Sequence, residues 1–130
     1  MTPDDLKSAL ESAGWRIGKQ SLRSDDDDVP WYAWLPSTVA DRANMTHCVS
    51  NEKPPAFCIE PHEFKHQSGT HRSVEFRVCG AVGEKEHWLD LRLYSVPMDE
   101  CLDTIPDAIK LLVAAWNAAA MAGRAIRKGE

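Results

Sequence analysis

The sequence lacks the long features that would tie it to a membrane or a secretory route. It has no run of about 18 apolar residues, so no transmembrane helix is expected. The opening segment, Met1–Asp5, is acidic and lacks the basic and apolar regions of a signal peptide. We therefore expect a cytoplasmic protein with no membrane partner, whose four cysteines are reduced.

The sequence also lacks concentrated positive charge. Its net charge is −5 at pH 7, and the basic residues form no stripe. Nucleic-acid binding usually needs such a positive footprint, so no direct nucleic-acid partner is expected. A length of 130 residues with 43% hydrophobic content fits one globular domain. We predict a single domain over residues 1–130, in which residues 124–130 form a frayed tail.

Several catalytic signatures are missing. Gly80 and Gly83 belong to a predicted hairpin rather than to a phosphate-binding turn between a strand and a helix. The four carboxylates Asp25, Asp26, Asp27 and Asp28 lack the alternating pattern of a calcium loop and indicate a solvated loop. No Ser-His-Asp arrangement stands out. An enzyme is therefore less favoured than a binding protein, and neither a catalytic residue nor a cofactor is assigned.

The clearest pattern present is a pair of alternating strands around Gly83-Glu84. The expected hairpin has a two-residue type II′ turn, since Gly is preferred at its first central position. Its buried face pairs Val78 with Leu89, Phe76 with Leu91 and Val74 with Leu93. Its other face then sets Arg77 opposite Asp90 and Glu75 opposite Arg92, two pairs of opposite charge.

Helices are predicted at both ends of the chain. Thr2 and Pro3 fit the start of a helix, and Gly14 is placed to end it. A longer helix is expected from about Thr104 to Gly123. Between the two helices we predict a polar loop over residues 37–44, short strands over residues 45–50 and 56–60, and either a short helix or a loop over residues 61–69. The fold class is therefore α+β: an antiparallel sheet of four to five strands with an N-terminal and a long C-terminal helix, as a two-layer sandwich.

One motif suggests metal chemistry. His62-Glu63-Phe64-Lys65-His66 matches H-E-x-x-H and looks like the zincin metalloprotease signature. On a helix it would place His62 and His66 on one Zn²⁺ ion, with Glu63 as the general base. Its surroundings depart from that family, because Pro61 and Gly69 leave room for only about two helical turns. No third ligand follows at a recognised spacing.

A second zinc hypothesis uses the same histidines. Cys48, Cys58, His62 and His66 offer two sulfur and two nitrogen ligands, the set that a tetrahedral structural site takes. Their spacing is not that of a zinc knuckle. The simpler interpretation is of small buried cysteines in strands and exposed histidines in a loop.

Aromatic residues suggest a binding surface. Trp88 and Tyr94 fall on the charge-paired face of the predicted hairpin, beside Arg77 and Arg92. Aromatic and arginine side chains together are typical of protein-binding hot spots. The alternative is that the N-terminal helix covers this face.

The C-terminal half carries a resemblance. Its strand ends in Tyr94-Ser95-Val96-Pro97, an acidic turn follows, and the last helix contains Ala115-Trp116-Asn117-Ala118. In these features it resembles small uncharacterised proteins of bacterial and prophage genomes. The resemblance implies a phage or mobile-element setting and brings no active site with it. Small acidic proteins from that setting often block a host protein, including CRISPR machinery.

These observations favour a non-enzymatic, protein-binding module, encoded by a phage or prophage and acting on a host protein or complex in an anti-defence role, for example anti-CRISPR. The expected binding residues are Trp88, Arg92, Tyr94 and Arg77, with Asp25–Asp28 steering the encounter. The alternative is a zinc protein, structural or hydrolytic, centred on His62 and His66. A homodimer is left open.

Overall fold

A computed structural model describes residues 1–19, 29–46, 48, 53–83 and 87–128, without the side chains of residues 94 and 123–128. These residues form an α+β fold, an antiparallel sheet with an N-terminal and a long C-terminal helix, which confirms the predicted class. In chain order the elements are α1 (Pro3–Ser12), β1 (Arg16–Lys19), β2 (Trp31–Pro36), α2 (Val39–Ala43), β3 (Ala56–His66), β4 (Gly69–Val82), β5 (His87–Pro97), a 3-10 turn (Met98–Glu100) and α3 (Cys101–Lys128).

The first helix begins and ends where its sequence indicates. The Thr2 hydroxyl accepts a hydrogen bond from the Asp5 backbone N–H, and the Asp5 carboxylate accepts one from the Thr2 N–H. This reciprocal pair satisfies two donors that the helix itself leaves without partners. Gly14 follows the helix with a φ of 95°, a conformation that glycine adopts without steric cost.

The sheet is a meander of five strands in the order β1-β2-β3-β4-β5, each antiparallel to its neighbour. The predicted two-residue turn between β4 and β5 is wrong, since Val82 pairs with His87 and the connection spans residues 83–86. The register therefore differs by two residues from the predicted one, and Val78 faces Leu91. This even shift keeps each side chain from Trp88 to Leu93 on its predicted face. Beyond the irregularity between Val74 and Phe76, Val74 pairs with Val96 rather than with the predicted Leu93.

One core holds the layers together, and it lies on a single face of the sheet. Leu6 and Leu10 of α1 join Leu112 and Trp116 of α3 in the same buried cluster, with inward residues from the strands such as Phe76. Both helices therefore cover the same face. Among the described residues no helix packs on the opposite face, which we call the open face.

Three segments differ from their predicted structures. Residues 37–44 contain a helical turn, α2, because Thr38 and Asp41 form a second reciprocal cap. In the segment predicted as a strand over residues 45–50, Met45 and Thr46 form a turn and Cys48 makes one bridge with Val82, while residues 47, 49 and 50 lie outside the described residues. Residues 61–66 continue β3 rather than forming a helix or loop, because they pair along their whole length with β4.

The C-terminal helix is longer than predicted at both ends. It starts at Cys101 directly after the 3-10 turn, three residues before the predicted start at Thr104, whose hydroxyl donates a hydrogen bond to the Glu100 carbonyl. It passes Gly123 and continues to Lys128, so most of the predicted tail is helical backbone. By length and composition alone, residues Met98–Ala122 are apolar enough to cross a membrane, a test that the core helix of a soluble protein also meets.

Candidate functional site

The open face of the sheet brings together the polar and aromatic side chains of its strands. Alternate residues of a strand point to opposite faces, so the register decides which side chains meet there. From β1 to β5 the face carries Arg16, Tyr32, Trp34, Cys58, Glu60, His62, Glu75, Arg77, Cys79, Trp88, Asp90 and Arg92. The largest concentration of charge lies over β3, β4 and β5.

Arg77 is the centre of a charge network on this face. Its guanidinium donates two hydrogen bonds to Asp90, from Nε at 3.2 Å and from Nη2 at 2.7 Å, and it also donates to Glu60. Arg92 bonds Glu75 at 3.3 Å and Asp90 at 3.4 Å. The predicted pairing of Arg77 with Asp90 and of Glu75 with Arg92 is thus observed. The pairs lie diagonally rather than directly opposite, because Arg77 faces Arg92 in the register.

A β-bulge positions Glu75 within this network. Phe76 pairs with Leu93 but Val74 pairs with Val96, so two residues of β5 oppose Glu75 alone. Ser95 in that bulge has a φ of 62°, a rare backbone conformation for a residue other than glycine. The Glu75 side chain is only 5% exposed, although no helix among the described residues packs on this face.

The carboxyl groups of the network differ in acidity. Burial, with hydrogen bonding and repulsion from Glu60, raises the pKa of Glu75 to about 7. Burial alone would also raise the pKa of Asp90, but the hydrogen bonds and charge of Arg77 hold it below its ordinary value. Asp90 therefore anchors both guanidiniums as a carboxylate, whereas burial and the neighbouring Glu60 favour the neutral form of Glu75.

Three of these side chains have the composition of a metal-ligand set. Glu60 and Glu75 face each other directly across β3 and β4, and His62 lies two residues after Glu60 on the same face. One ligand atom from each residue lies within 4.8 Å of the other two. Two carboxylate oxygens and one imidazole nitrogen are donors that divalent transition metals accept.

A pair of thiols adjoins the network. Cys58 and Cys79 lie on neighbouring strands, and their thiol groups are hydrogen-bonded to each other. This bond, with the positive charge of Arg77, lowers the pKa of Cys79 to about 7, whereas the same bond and burial raise the pKa of Cys58. No disulfide joins them, since both cysteines are free.

The predicted binding residues divide into those that the structure places and those that it does not. Trp88 is 69% exposed, and Arg77 and Arg92 lie with it on the open face. The Tyr94 side chain and the loop Asp25, Asp26, Asp27 and Asp28 lie outside the described residues. At the other edge of the same face, the Arg16 guanidinium lies over the Trp34 ring at 4.8 Å.

The H-E-x-x-H residues do not converge. They lie on β3, where His62 and His66 share a face but are about 13 Å apart along the strand. Glu63 points to the opposite face and bonds Arg72 at 2.6 Å. His62 stacks on Phe64, and His66 contacts His71 instead.

The four residues of the second zinc hypothesis are also spread out. Cys48 lies beside Val82, Cys58 bonds Cys79, and His66 lies near the end of the β3–β4 hairpin. Among the described residues, the one group of three or more metal-ligating side chains is Glu60, His62 and Glu75. The structure therefore brings neither proposed zinc set together.

Sequence reasoning missed Glu60 and the joint position of Glu60, His62 and Glu75. The signal was present, because Glu60 and His62 have the period of a strand and the charge alternation of Glu75 and Arg77 was already recognised. The H-E-x-x-H match predicts a helical period for the same segment instead.

In comparisons with known proteins, the chain matches no protein-family model, no curated protein and no solved structure.

Proposed function

We propose that this protein is a non-enzymatic binding module that recognises another protein through the open face of its sheet. The observation that carries the proposal is the ordered charge network beside an exposed tryptophan. Arg77, Asp90 and their partners are held in fixed positions by mutual hydrogen bonds, and Trp88 next to them is 69% exposed. Preorganised charges reduce the entropy lost on binding, and an exposed tryptophan is a typical anchor of a protein interface.

The open face is better suited to a macromolecule than to a small substrate. Small-molecule sites are concave, whereas this face is one layer of a sheet whose side chains lie across several strands. Its charges alternate in sign, with Arg77 and Arg92 between Glu60, Glu75 and Asp90. Alternating charges favour a partner with a matching pattern and penalise others, which gives specificity.

The first test compares two matched surface variants in affinity capture from a bacterial host. Trp88→Ala removes the exposed anchor of the open face, and Leu111→Ala removes an exposed apolar side chain of α3, which is 53% exposed. We expect the partner captured by the wild-type chain to be lost with Trp88→Ala, by at least about tenfold, and retained with Leu111→Ala. Loss of the partner with Leu111→Ala but not with Trp88→Ala would place the interface on α3 and contradict the proposal.

The biological setting that we propose is inhibition of a host defence system by a phage-encoded protein, as the resemblance of the C-terminal half suggests. The chain would be expressed in a bacterium with an active CRISPR or restriction system, and phage plating efficiency measured. We expect plating to rise with the wild-type chain and to return to the background level with Trp88→Ala. An equal rise in plating efficiency with both chains would show that the inhibition does not depend on the open face.

A further inference from the structure

The pair Glu60 and Glu75 is an arrangement that a bound cation would stabilise. The two residues are direct partners across β3 and β4, and carboxylates placed directly opposite each other destabilise a sheet. Both are largely buried, with side-chain exposures of 12% for Glu60 and 5% for Glu75. Burial strengthens their repulsion, because the local dielectric is lower than that of water.

The two guanidiniums of the network compensate this charge only in part. Arg77 and Arg92 contact Glu60 and Glu75, but both also bond the third carboxylate, Asp90. With all three carboxylates ionised, the five groups carry one surplus negative charge. The surplus lies nearest to the Glu60–Glu75 pair, since Asp90 takes two hydrogen bonds from Arg77 alone.

His62 supplies a nitrogen donor at the same place. It is half-buried, on the same face as Glu60 and diagonal to Glu75, and its ring stacks on Phe64 at a centroid distance of 6.1 Å. That contact restricts the orientation of the imidazole. Ligand atoms of His62, Glu60 and Glu75 all lie within 4.8 Å of one another, so small side-chain movements bring them to one ion.

We propose that Glu60, His62 and Glu75 form a binding site for one divalent transition-metal ion, of the Mn²⁺, Fe²⁺ or Zn²⁺ class, on the open face. Two carboxylates and one imidazole favour these ions over Ca²⁺ and Mg²⁺, which prefer all-oxygen sites. Arg77 and Arg92 act as outer partners that hold the two ligand carboxylates in place. Water or a partner's acidic side chain would complete the coordination of the ion.

The test is metal titration of the chelator-treated full chain with Mn²⁺ and with Zn²⁺, by isothermal calorimetry and native mass spectrometry. We expect one ion per chain, and a loss of affinity of at least tenfold with His62→Ala and with Glu75→Gln. His66→Ala and Glu63→Gln are matched controls, since they alter the neighbouring histidine and glutamate outside the trio. They should leave affinity unchanged.

Each other outcome overturns the proposal. No binding of either ion at millimolar concentration would show that the guanidiniums already satisfy the trio. A loss of binding with His66→Ala, or with Cys58→Ala, would assign the ion to a different ligand set. Because Glu75 is buried, the result for Glu75→Gln counts only if its circular dichroism spectrum matches that of the wild type. If the spectrum differs, the metal affinity of His62→Ala decides, since His62 is half-exposed. Metal binding is measured without a partner, so its failure leaves the proposed protein-binding function standing.

Discussion

At the scale of single residues, the cysteines show how neighbouring groups set the acidity of a side chain. Cys58, Cys79 and Cys101 are the same residue type with different surroundings. Cys101 is fully buried, and this burial raises its pKa to about 12. Cys79 receives a hydrogen bond from the Cys58 thiol and lies near Arg77, and its pKa falls to about 7. The thiolate is the reactive form, so reactivity should follow these differences.

We predict that Cys79 is alkylated before the other described cysteines. Its rate with iodoacetamide should rise through a midpoint near its pKa of about 7, while Cys101 stays unmodified in the folded protein. Cys58→Ala removes the thiol hydrogen bond and should move the midpoint upward. The measurement is peptide mass mapping against time from about pH 6 to about pH 9. A Cys79 midpoint near the ordinary thiol value of about 8.5 would contradict the prediction.

At the scale of elements, the sequence predicted what local patterns control and missed what pairing controls. The cap of α1 and the faces of β4 and β5 follow from residues close in sequence, and both were predicted. The extension of β3 to His66 depends on pairing with β4, which a short H-E-x-x-H match cannot reveal. The site was missed for the same reason, because Glu60 and Glu75 meet only through the register.

The Trp-Asn pair of α3 also has a structural role that its sequence did not show. Trp116 is fully buried, and its indole N–H donates to the Thr46 carbonyl at 3.1 Å. Asn117 accepts from the Thr46 N–H at 2.6 Å and donates to the Asn44 carbonyl at 2.7 Å. Trp116 and Asn117, which belong to the motif that carries the resemblance, thus bind the segment after α2 to α3 through hydrogen bonds.

We predict that Asn117→Ala lowers the free energy of unfolding by about 1–3 kcal/mol, because it leaves two backbone groups without their partner. Asn117→Asp keeps the oxygen that accepts from Thr46 but loses the donor to Asn44, so its effect should be smaller. Urea denaturation of the three proteins gives the comparison. Equal stability of Asn117→Ala and the wild type would show that water replaces both hydrogen bonds.

At the scale of the whole molecule, one core joins the two ends of the chain. Leu6 and Leu10 of α1 are fully buried in the cluster that contains Trp116 of α3. Both α1 and α3 pack on one face of the sheet, and among the described residues the opposite face carries the charges away from the core. This division places the proposed binding and metal sites on the face opposite to the packing of α1 and α3.

A single core predicts a single unfolding transition, and Leu10→Ala tests it. Truncating this buried side chain should cost about 2–5 kcal/mol and lower the midpoint for the whole chain rather than for α1 alone. Far-UV circular dichroism reports the helices and tryptophan fluorescence reports the core, and the two curves should coincide in both proteins. Glu11→Ala, on the exposed side of the same helix, is the control and should change stability by less than about 0.5 kcal/mol. Two separate transitions in Leu10→Ala would mean that α1 unfolds independently, and the core would then rest on the sheet and α3 alone.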